Sequence, residues 1–480
     1  MWRIVQEMYK RVMSCVRVGD KNTEYFEVEV GVRQGCVLSP VLFSLFIDGL
    51  AEQVRKAGEG VQIGKDSVKI LLYADDMVVM ARNNQDLQKM MRVVQDFTYK
   101  WRLEVNVGKT EVVVFGRTNT KTKNTEILYS NRTLCLVPGY TYLGIYQDRK
   151  VQAKGKVMKK EMLTKTKMKM EIAWGLGSRF GRVTTGAGVS LWQGLIRPSL
   201  EYAAEIWHRG KWDDAERMQR SMAKRILGCS QKTANEAVLG ELGWWTMEAR
   251  RDLLMVCYWA KICRMDDTRL TKRVYQTRKK DTGSNRSSWC DKVKEILGRL
   301  GMLEQWESEE VGAEEQWAKK MKKKIHEEEE KKWRENMQNK PKLRNYRRIK
   351  TKLESEPYLQ HNTCWRGRQL LVGMRTGTNR LNIEQDRWNK IPLEWRLCNM
   401  CATETEDEHH FLSKCKGLEK ERERWLENLP EDDRARWVKM TEQERTDWLL
   451  TPKTAQDTKA AKDLMLRLDN RRNKWNEEAS

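Results

Sequence analysis

One short stretch, KILLYADDMVVMA at residues 69–81, restricts the possible folds of this chain more than any other. It places two adjacent carboxylates, Asp75 and Asp76, between two continuous apolar runs. Apolar runs of this length on either side of a polar turn predict the two strands of a hairpin with both faces covered. Aspartate is also common in ordinary turns, but the apolar strands favour a hairpin that presents both carboxylates at its tip.

Two neighbouring carboxylates at such a tip predict a cation. Like charges packed together are costly unless an opposite charge neutralises them. Mg²⁺ prefers one or two protein carboxylates together with substrate phosphates, and two such ions can activate a hydroxyl and stabilise a leaving pyrophosphate. The chain has 91 Lys+Arg against 68 Asp+Glu, a net charge of +23, which favours a nucleic-acid partner over the alternative of a merely charge-rich surface.

Composition also restricts the compartment. No apolar stretch reaches the roughly 18 residues that a membrane span needs, and the first residues, MWRIVQEMYKRVMSC, have the pattern of an amphipathic helix rather than a signal peptide. The eleven cysteines are odd in number and mostly scattered, unlike a secreted disulfide framework. We therefore predict an intracellular protein, nuclear or cytoplasmic, with no membrane partner.

The pattern of apolar residues divides the chain into zones. Residues 1–150 alternate strands and helices in the order strand, helix, hairpin, helix, hairpin. The first strand is predicted at 24–32, where apolar and polar residues alternate, and the second long helix after Asn84, where apolar residues recur at helical spacing. Ser39 is predicted to cap the first long helix before Pro40. The order of strands and helices predicts an α+β layer, an antiparallel sheet with helices on one face. The later zones are mainly helical, and we predict a helical region at 151–265, a charged connector at 266–360, a cysteine-rich region at 361–420 and a polar helical tail at 421–480.

Two basic segments are candidates for nucleic-acid contact. Residues 149–169 carry nine Lys/Arg and one Glu, and residues 341–352, PKLRNYRRIKTK, carry six basic residues and no acid. Lysines of this kind neutralise phosphates. By contrast, the charge blocks of residues 314–336 indicate a solvated helix with a thin apolar stripe at Trp317, Met321 and Ile325.

A second candidate site lies in CNMCATETEDEHHFLSKC. Cys398-x₂-Cys401 is followed by His409, His410 and Cys415, and thiolates at this spacing with an imidazole suit tetrahedral Zn²⁺. The alternative is a set of unrelated cysteines, and two histidines compete for one ligand position. The intervening loop carries Glu404, Glu406, Asp407 and Glu408 and is predicted to form an acidic surface that binds phosphate poorly. We therefore expect any nucleic-acid contact to come from the flanking cations Arg396, Lys414 and Lys416.

Several motifs, in this order, resemble reverse transcriptases of non-LTR (LINE-type) retrotransposons. YADD (73–76) resembles their active-site motif, GVRQGCVLSPVLFSLFIDGL (31–50) the motif before it, and LEVNVGKTEVVVFG and YTYLGI the two palm motifs after it. LIRPSLEYAAEIW and MQRSMAKRILG are similar to the helical thumb, and CNMC…HHFLSKC to the C-terminal zinc knuckle. The resemblance covers most of residues 15–265 and about 365–420, and implies a partial palm, a thumb, a charged helical region and a knuckle.

The resemblance also implies roles for single residues. Asp75 would be the main Mg²⁺-binding carboxylate, Asp76 would assist, and Lys109 would lie near the nucleotide phosphates as a proton donor to pyrophosphate. His410 precedes FLSKC as in the family, so the implied Zn²⁺ ligands are Cys398, Cys401, His410 and Cys415, with His409 the alternative. Template–primer and incoming nucleotide would contact Arg33, Gln34 and Gly35, and the primer end Tyr142, Leu143 and Gly144. The 149–169 run would contact the duplex backbone.

The implied function is an RNA-directed DNA polymerase that uses an RNA template, a DNA primer or target and deoxynucleoside triphosphates. Polymerases of this family hold their metals with a further aspartate from an earlier palm strand, and residues 1–23 resemble only the segment after it. No nuclease constellation is recognisable either. We therefore expect a truncated chain that is inactive alone; the alternative is a non-catalytic remnant that still binds RNA or DNA.

Overall fold

The structure is a computed structural model that describes residues 2–28, 31–116, 126–149, 155–179, 183–280, 288–361 and 364–478. It divides into two compact units, Met1–Ala153 and Lys154–Ser480. None of the helices in the described part of the chain combines the length and the apolarity that crossing a bilayer would require.

The first unit mixes three helices with short strands. The helices are α1 Trp2–Tyr9, α2 Ser39–Lys56 and α3 Asn84–Lys100. The strands are β1 Met13–Ser14, β2 Arg17–Val18, β3 Lys21–Asn22, β4 Phe26–Glu27, β5 Val61–Ile63, β6 Asp66–Val68, β7 Ile70–Tyr73, β8 Asp76–Val79, β9 Glu111–Val112, β10 Leu128–Tyr129, β11 Arg132–Thr133, β12 Cys135–Leu136, β13 Gly139–Tyr142 and β14 Ile145–Asp148.

Strand pairing in this unit is local. Each strand among the described residues has a single partner, which gives seven two-stranded ladders. Six ladders are antiparallel, and the pair β9–β12 is parallel. The mixture of helices and small sheets is compatible with the predicted α+β class, but the single antiparallel sheet is wrong for the described chain, because most pairs form between neighbouring segments and leave their outer edges unpaired. Part of the predicted strand 24–32 lies outside the described residues.

The core of the first unit forms between α2 and α3. Leu50 and Val54 pack against Met90, Val94 and Phe97, all almost fully buried. Asn83 caps α3 by accepting a hydrogen bond from the backbone of Asp86 at 2.9 Å. The helix predicted from the apolar spacing after Asn84 is therefore confirmed.

The hairpin β7–β8 lies on this core with one face only. Its residues Ile70, Met77 and Val79 pack against the core as partly buried side chains. Leu71 remains 37% exposed and Tyr73 63% exposed. The prediction that both faces are covered is wrong for the described chain, because the opposite face has no layer packed on it there.

Ser39 has a different role from the predicted helix cap. It is already inside α2, and Leu38 takes the cap position without a side-chain hydrogen bond. The Ser39 hydroxyl instead donates to the carbonyl oxygen of Arg33 at 2.6 Å. The serine therefore fixes the turn that precedes α2.

The second unit is helical. Its α-helices are α4 Lys156–Arg179, α5 Thr185–Leu191, α6 Arg197–Glu201, α7 Ala204–Trp207, α8 Asp213–Leu227, α9 Asn235–Leu242, α10 Met247–Cys263, α11 Leu270–Lys280, α12 Trp289–Arg299, α13 Leu303–Ser308, α14 Glu314–Gln338, α15 Arg344–Ile349, α16 Trp365–Thr376, α17 Asn382–Trp388, α18 Glu419–Glu427, α19 Glu431–Lys439, α20 Glu442–Leu450 and α21 Ala455–Glu478. Five-residue π-helical segments occur at Trp192–Ile196 and His410–Lys414, and short 3₁₀ turns at Pro341–Leu343, Pro357–Gln360, Leu393–Trp395 and Lys416–Leu418.

Separate apolar cores hold these helices together. The largest joins residues from α4 to α21 and includes Trp192 and Trp425. A second core surrounds Trp259 and buries the stripe Trp317, Met321 and Ile325 of α14. The stripe predicted for this charged helix is thus its buried contact face, since the charged residues around it lie mostly towards solvent.

Candidate active site and candidate metal centre

The two carboxylates of YADD lie at the tip of the β7–β8 hairpin. Tyr73 pairs with Asp76, so that Ala74 and Asp75 form a two-residue turn. Ala74 has a φ of +51°, in the left-handed region that such hairpin turns require and that side-chain-bearing residues rarely adopt. Asp75 and Asp76 are both exposed. The tip can therefore present two carboxylates to a ligand in solvent.

A residue of a second hairpin, Tyr142, lies near enough to this tip for the charge of Asp76 to affect its pKa. The turn of this hairpin, Leu143–Gly144 between β13 and β14, has positive φ at both positions, +47° and +76°, the pattern of a tight two-residue turn. Burial and then the carboxylate of Asp76 raise the pKa of Tyr142 above its ordinary value. The structure thus brings Tyr142 within the electrostatic range of Asp76 and keeps its phenol protonated at neutral pH.

Arg33, Gln34 and Gly35 form an exposed turn before α2. The Arg33 guanidinium donates to the carbonyl oxygen of Met8 at 2.6 Å and lies 5.7 Å from the ring centre of Tyr9. No hydrogen bond or ion pair among the described residues joins this turn to the carboxylates of the hairpin tip. Gly35 has a φ of +81° and open space around the position of a Cβ, so a ligand can approach its backbone closely.

Lys109 lies in a turn whose shape depends on Asn106. The Asn106 side chain accepts from the backbone N–H of Lys109 at 3.2 Å, and the Asn106 carbonyl accepts from the Thr110 hydroxyl at 2.9 Å. The Lys109 side chain is exposed, and no carboxylate of the described residues lies within ion-pair distance of it. Its ammonium group is thus available to a phosphate.

The tip by itself is an incomplete metal site. Its oxygen donors suit Mg²⁺, but no third carboxylate, imidazole or thiolate in the described part of the chain gathers with Asp75 and Asp76 into a metal-binding group. Two exposed carboxylates on a turn do not fix two ions, since each ion needs several ligands.

The complete ligand set lies in the second unit. One ligand atom from each of Cys398, Cys401, His410 and Cys415 lies within 4.8 Å of the others. The Sγ atoms of Cys398 and Cys415 are 3.6 Å apart, and Cys401 Sγ lies 3.3 Å from His410 Nε2. Ligands about 2.0–2.3 Å from a tetrahedral zinc ion lie about 3.3–3.8 Å from one another. Donor types and spacing therefore both fit Zn²⁺.

Local backbone structure explains how the four ligands meet. The backbone N–H of Cys398 donates to the Glu404 carbonyl at 2.9 Å, and Ala402, at φ +53°, donates back to Cys398 at 2.8 Å. Across the loop, the π-helical segment ends with a bond from the Cys415 N–H to the His410 carbonyl at 2.8 Å. This wider turn places a histidine and a cysteine five residues apart on one side of the site.

The two candidate histidines have different surroundings. His410 Nδ1 lies 3.3 Å from a carboxylate oxygen of Glu404, and this hydrogen bond leaves Nε2 directed at the thiols. His409 Nδ1 lies 2.8 Å from the Thr446 hydroxyl instead. In the described structure His410 and not His409 therefore belongs to the four-residue cluster.

The candidate ligands shift one another's pKa values. The hydrogen bond with Cys415 and burial raise the pKa of Cys398 to about 12, whereas the same hydrogen bond lowers the pKa of Cys415. Burial opposes, but the Cys398 thiol and the Glu404 carboxylate outweigh it and raise the pKa of His410 to about 9. Zn²⁺ needs thiolates and neutral imidazole, so binding should release protons.

Glu404 is a residue that the sequence interpretation did not assign to the site. A carboxylate that accepts the second ring N–H of a ligating histidine fixes its tautomer and orientation, and losing one typically weakens metal affinity about 10- to 100-fold. We expect Glu404→Gln to weaken Zn²⁺ binding by about tenfold, measured by competition with a chromophoric chelator. Glu423→Gln, an exposed glutamate on α18, is the control; equal affinities of the Glu404 variant and the wild type would contradict the role.

Two of the four acids in the loop beside the cysteines are buried and paired instead of forming an acidic surface. Glu406 and Glu408 are each only 1% exposed. Arg472 of α21 donates to both Glu406 oxygens at 2.6 and 2.7 Å, and Arg344 of α15 donates to Glu408 at 2.5 Å. The two acids therefore join the cysteine loop to the helices around it, because buried carboxylates need cationic partners.

Two of the three flanking cations and part of the segment 341–352 are also held within the fold, whereas Lys416 is exposed. Arg396 donates to the carbonyl oxygens of Ile391 and Ile383, and Lys414 lies 3.8–3.9 Å from carboxylates. In the 341–352 segment, Tyr346 is fully buried and Lys350, 5% exposed, pairs with Glu356. Ion pairs thus hold three of the six basic residues, Arg344, Arg348 and Lys350, within the fold. Contact of this segment with nucleic acid stays a prediction.

Comparison with known proteins gives consistent matches. A sequence model of the family described as reverse transcriptase (RNA-dependent DNA polymerase) matches residues 2–147. The RNA-directed DNA polymerase from mobile element jockey of Drosophila funebris is 25% identical over 210 residues, 42% of this chain and 22% of the relative. The probable RNA-directed DNA polymerase from transposon X-element of Drosophila melanogaster is 23% identical over 236 residues, 46% of this chain and 24% of the relative.

A third relative is covered more fully. The retrovirus-related Pol polyprotein from type-1 retrotransposable element R1 of Nasonia vitripennis is 21% identical over 237 residues, 45% of this chain and 65% of the relative. The chain thus spans less than a quarter of the length of the jockey and X-element relatives and about two thirds of the R1 relative. By sequence, residues 2–147 of this chain belong to the reverse-transcriptase family, and the relatives of the chain are RNA-directed DNA polymerases of non-LTR retrotransposons.

Proposed function

We propose that the chain is part of an RNA-directed DNA polymerase that extends a DNA primer along an RNA template. The observation that carries this proposal is the exposed β7–β8 tip, where a two-residue turn presents Asp75 beside Asp76 within the matched segment 2–147. Adjacent carboxylates in a strongly basic chain suit a metal-dependent reaction on a polyanion.

In this proposal the hairpin tip holds Mg²⁺ through both carboxylates. The bound ions would lower the pKa of the primer hydroxyl and stabilise the leaving pyrophosphate. Asp75, in the turn itself, makes the main contact, and Asp76, which is the first residue of β8, assists. The protonated phenol of Tyr142 beside Asp76 can donate a hydrogen bond at the primer end.

The remaining predicted residues would position substrate. Lys109 has an exposed ammonium group that can neutralise or protonate pyrophosphate. The open backbone at Gly35 lets the template–primer and the incoming nucleotide lie against the Arg33–Gly35 turn, and the Leu143–Gly144 turn supports the primer end. Residues 1–150 would form a partial palm and 151–265 a thumb, whose helix α4 exposes Lys160, Lys165 and Lys167 towards a duplex backbone. Residues 150–154 of the basic run lie outside the described residues.

The cysteine–histidine cluster would bind one Zn²⁺ through Cys398, Cys401, His410 and Cys415. Its role in this proposal is to stabilise the fold. Two observations support that role: Cys398 and Cys415 belong to the largest core, and the acids of the loop are paired with Arg472 and Arg344. Because the cluster is part of a buried core, these contacts do not favour nucleic-acid binding at the cluster itself.

Tested alone, the 480-residue chain should not extend a primer. The tip supplies only two carboxylates, and no further ligand among the described residues joins them, so Mg²⁺ would be held too weakly for two-metal chemistry. The measurement is incorporation of labelled nucleotide on an RNA template with a DNA primer. Robust incorporation that Asp75→Asn removes would show that the tip suffices. Binding without incorporation is also what the alternative, a non-catalytic nucleic-acid-binding chain, would give.

A chimera separates these two functions. Residues 31–148 of this chain would replace the matching segment of the jockey polymerase of Drosophila funebris, and extension on an RNA template would be measured. Extension well above that of a chimera in which the transferred Asp75 is Asn would support the proposed reaction. A soluble, folded chimera that binds template–primer but does not extend it would contradict the proposal and favour the binding alternative.

A further inference from the structure

A polar groove runs along the second unit where α8 ends. It has two lobes with volumes of about 410 and 420 Å³, which share Gly228, Cys229 and Gln369. The end of α8 and the turn after it form one wall, and the first turns of α16 form the other. Residues 378–381 and α21 close one end. We call these two lobes together the Gly228 groove.

Gly228 is required for the shape of the groove. It ends α8 with a φ of +71°, a conformation that favours glycine. A Cβ at this position would lie 2.7 Å from ring atoms of Trp365. The side-chain amide of Gln369 donates to the Gly228 carbonyl at 2.9 Å. The two walls are thus joined directly at the point where the lobes meet.

The lobe next to α8 contains a buried cation without a carboxylate partner. Lys224 is only 8% exposed, and its ammonium group donates to the Gln231 carbonyl at 2.7 Å. No carboxylate in the described part of the chain lies within ion-pair distance of it. A buried charge of this kind is costly unless an opposite charge reaches it. Because Lys224 lines this lobe, the geometry favours an anionic ligand there.

The other lobe has a second available cation. Arg380 is exposed at its end, and among the residues that the structure describes it has no acidic partner. The remaining arginines of that lobe are already neutralised, Arg366 by Asp469 at 2.9 Å and Arg472 by Glu406. In the lobe next to α8, Arg225 is likewise paired, with Glu171 at 3.1 Å. Among the described residues, the positive charge without an acidic partner is therefore at one point in each lobe, Lys224 and Arg380.

We propose that the Gly228 groove binds the sugar–phosphate backbone of a single-stranded nucleic acid, with one phosphate at Lys224 and another at Arg380. Each lobe lies near the lower end of the range of about 300–1,000 Å³ found for small-ligand sites, which suits a nucleotide-sized group and not a base-paired duplex. A neutral donor such as the exposed Ser230 hydroxyl suits contacts to sugar and backbone oxygens that carry little sequence information. The groove lies wholly in the second unit, so the proposal does not depend on polymerisation at the hairpin tip.

The test is binding of a fluorescently labelled single-stranded oligonucleotide to the full chain, followed by anisotropy across a salt series. We expect the double variant Lys224→Gln/Arg380→Gln to lower affinity about tenfold. The slope of log affinity against log salt should fall by about 1.4, since each phosphate contact to a single strand contributes about 0.7. Alkylation of Cys229, which lines both lobes, should slow when the oligonucleotide is bound.

Controls keep folding and binding separate. Arg380→Gln alone changes an exposed residue and should lower the slope by about 0.7 without changing the circular dichroism spectrum. Lys320→Gln/Lys439→Gln, which neutralises two exposed lysines outside the groove, should leave the slope unchanged. An unchanged slope in the groove variants, an equal loss in the control, an equal loss of duplex affinity in the groove variants, or equal competition by an acidic peptide would each overturn the proposal. Groove binding by the full chain, together with a folded 31–148 chimera that does not extend a primer, would count against the polymerase proposal only.

Discussion

Asp75→Asn in the chimera that carries residues 31–148 should reduce primer extension on an RNA template by at least about 1,000-fold. An amide keeps the size of the side chain but removes the charge that holds Mg²⁺. Stabilisation of the transition state by the metal is worth several kcal/mol. Each 1.36 kcal/mol corresponds to about a factor of ten in rate. Asp75 is exposed in a two-residue turn and has no hydrogen-bond partner among the described residues, so the substitution should leave the fold intact. The measurement is the rate of nucleotide incorporation at saturating primer and template.

Asp96→Asn provides the matched control. Asp96 is an exposed aspartate on α3 within the same transferred segment, and its substitution should leave the rate unchanged. Asp76→Asn should cause a smaller loss than Asp75→Asn, since Asp76 only assists. Equal activity of the Asp75 variant and the parent chimera would remove the hairpin tip from the chemistry. An equal loss in the Asp96 variant would show that the chimera is merely unstable.

Loss of metal should have the largest effect on stability. A ligand present at about 1,000 times its Kd stabilises the folded state by about 4 kcal/mol, and each kcal/mol shifts the melting temperature of a domain of 150–250 residues by about 2–4 °C. The second unit, Lys154–Ser480, is larger than such a domain, so the lower figure sets the upper limit. We therefore expect chelation of Zn²⁺, or His410→Ala, to lower the melting temperature of this unit by up to about 8 °C. Atomic absorption should show about one Zn²⁺ per wild-type chain and little in the variant.

The second histidine supplies the control for this experiment. His409 bonds to Thr446 outside the cluster, so His409→Ala should keep its zinc and should lose only the stability of one hydrogen bond, about 1 kcal/mol. The full chain is the right material, because Phe411, Cys398 and Cys415 are buried in a core that also contains Trp425 and Leu464. If His409→Ala loses the metal and His410→Ala keeps it, the ligand assignment is off by one residue. If the wild type binds no zinc, the cluster is not a metal centre.

The charged side chains of the second unit show where interpretation of the sequence stopped. Glu406 and Glu408 were expected to form an acidic surface, yet each pairs with an arginine more than sixty positions away in the chain, Arg472 and Arg344. The sequence gives little indication that Lys224 is buried. The one local hint is its place beside the apolar residues Ala223, Ile226 and Leu227 of α8. Whether a charged residue is solvated, paired or available depends on partners that no local pattern contains.

Local patterns determined much of the framework. The cap at Asn83 and the apolar spacing of α3 determine that helix, and the stripe Trp317, Met321 and Ile325 determines which face of α14 is buried. The spacing of Cys398 and Cys401, with a histidine and a further cysteine after them, indicates a candidate zinc site. These features depend on residues within one or two turns of each other, because helix periodicity, capping and short ligand loops are local.

The tertiary structure decided what depends on distant partners. The apolar strands β7 and β8 were predicted to be covered on both faces, but the described chain packs α2 and α3 against only one of them. The choice of His410 over His409 as part of the cluster follows from the positions of Glu404 and Thr446, since adjacent histidines in a helical turn point in different directions. Sequence determines which side chains can form a site, and the packing of separate segments decides which of them meet, because burial and ion pairing join residues far apart in the chain.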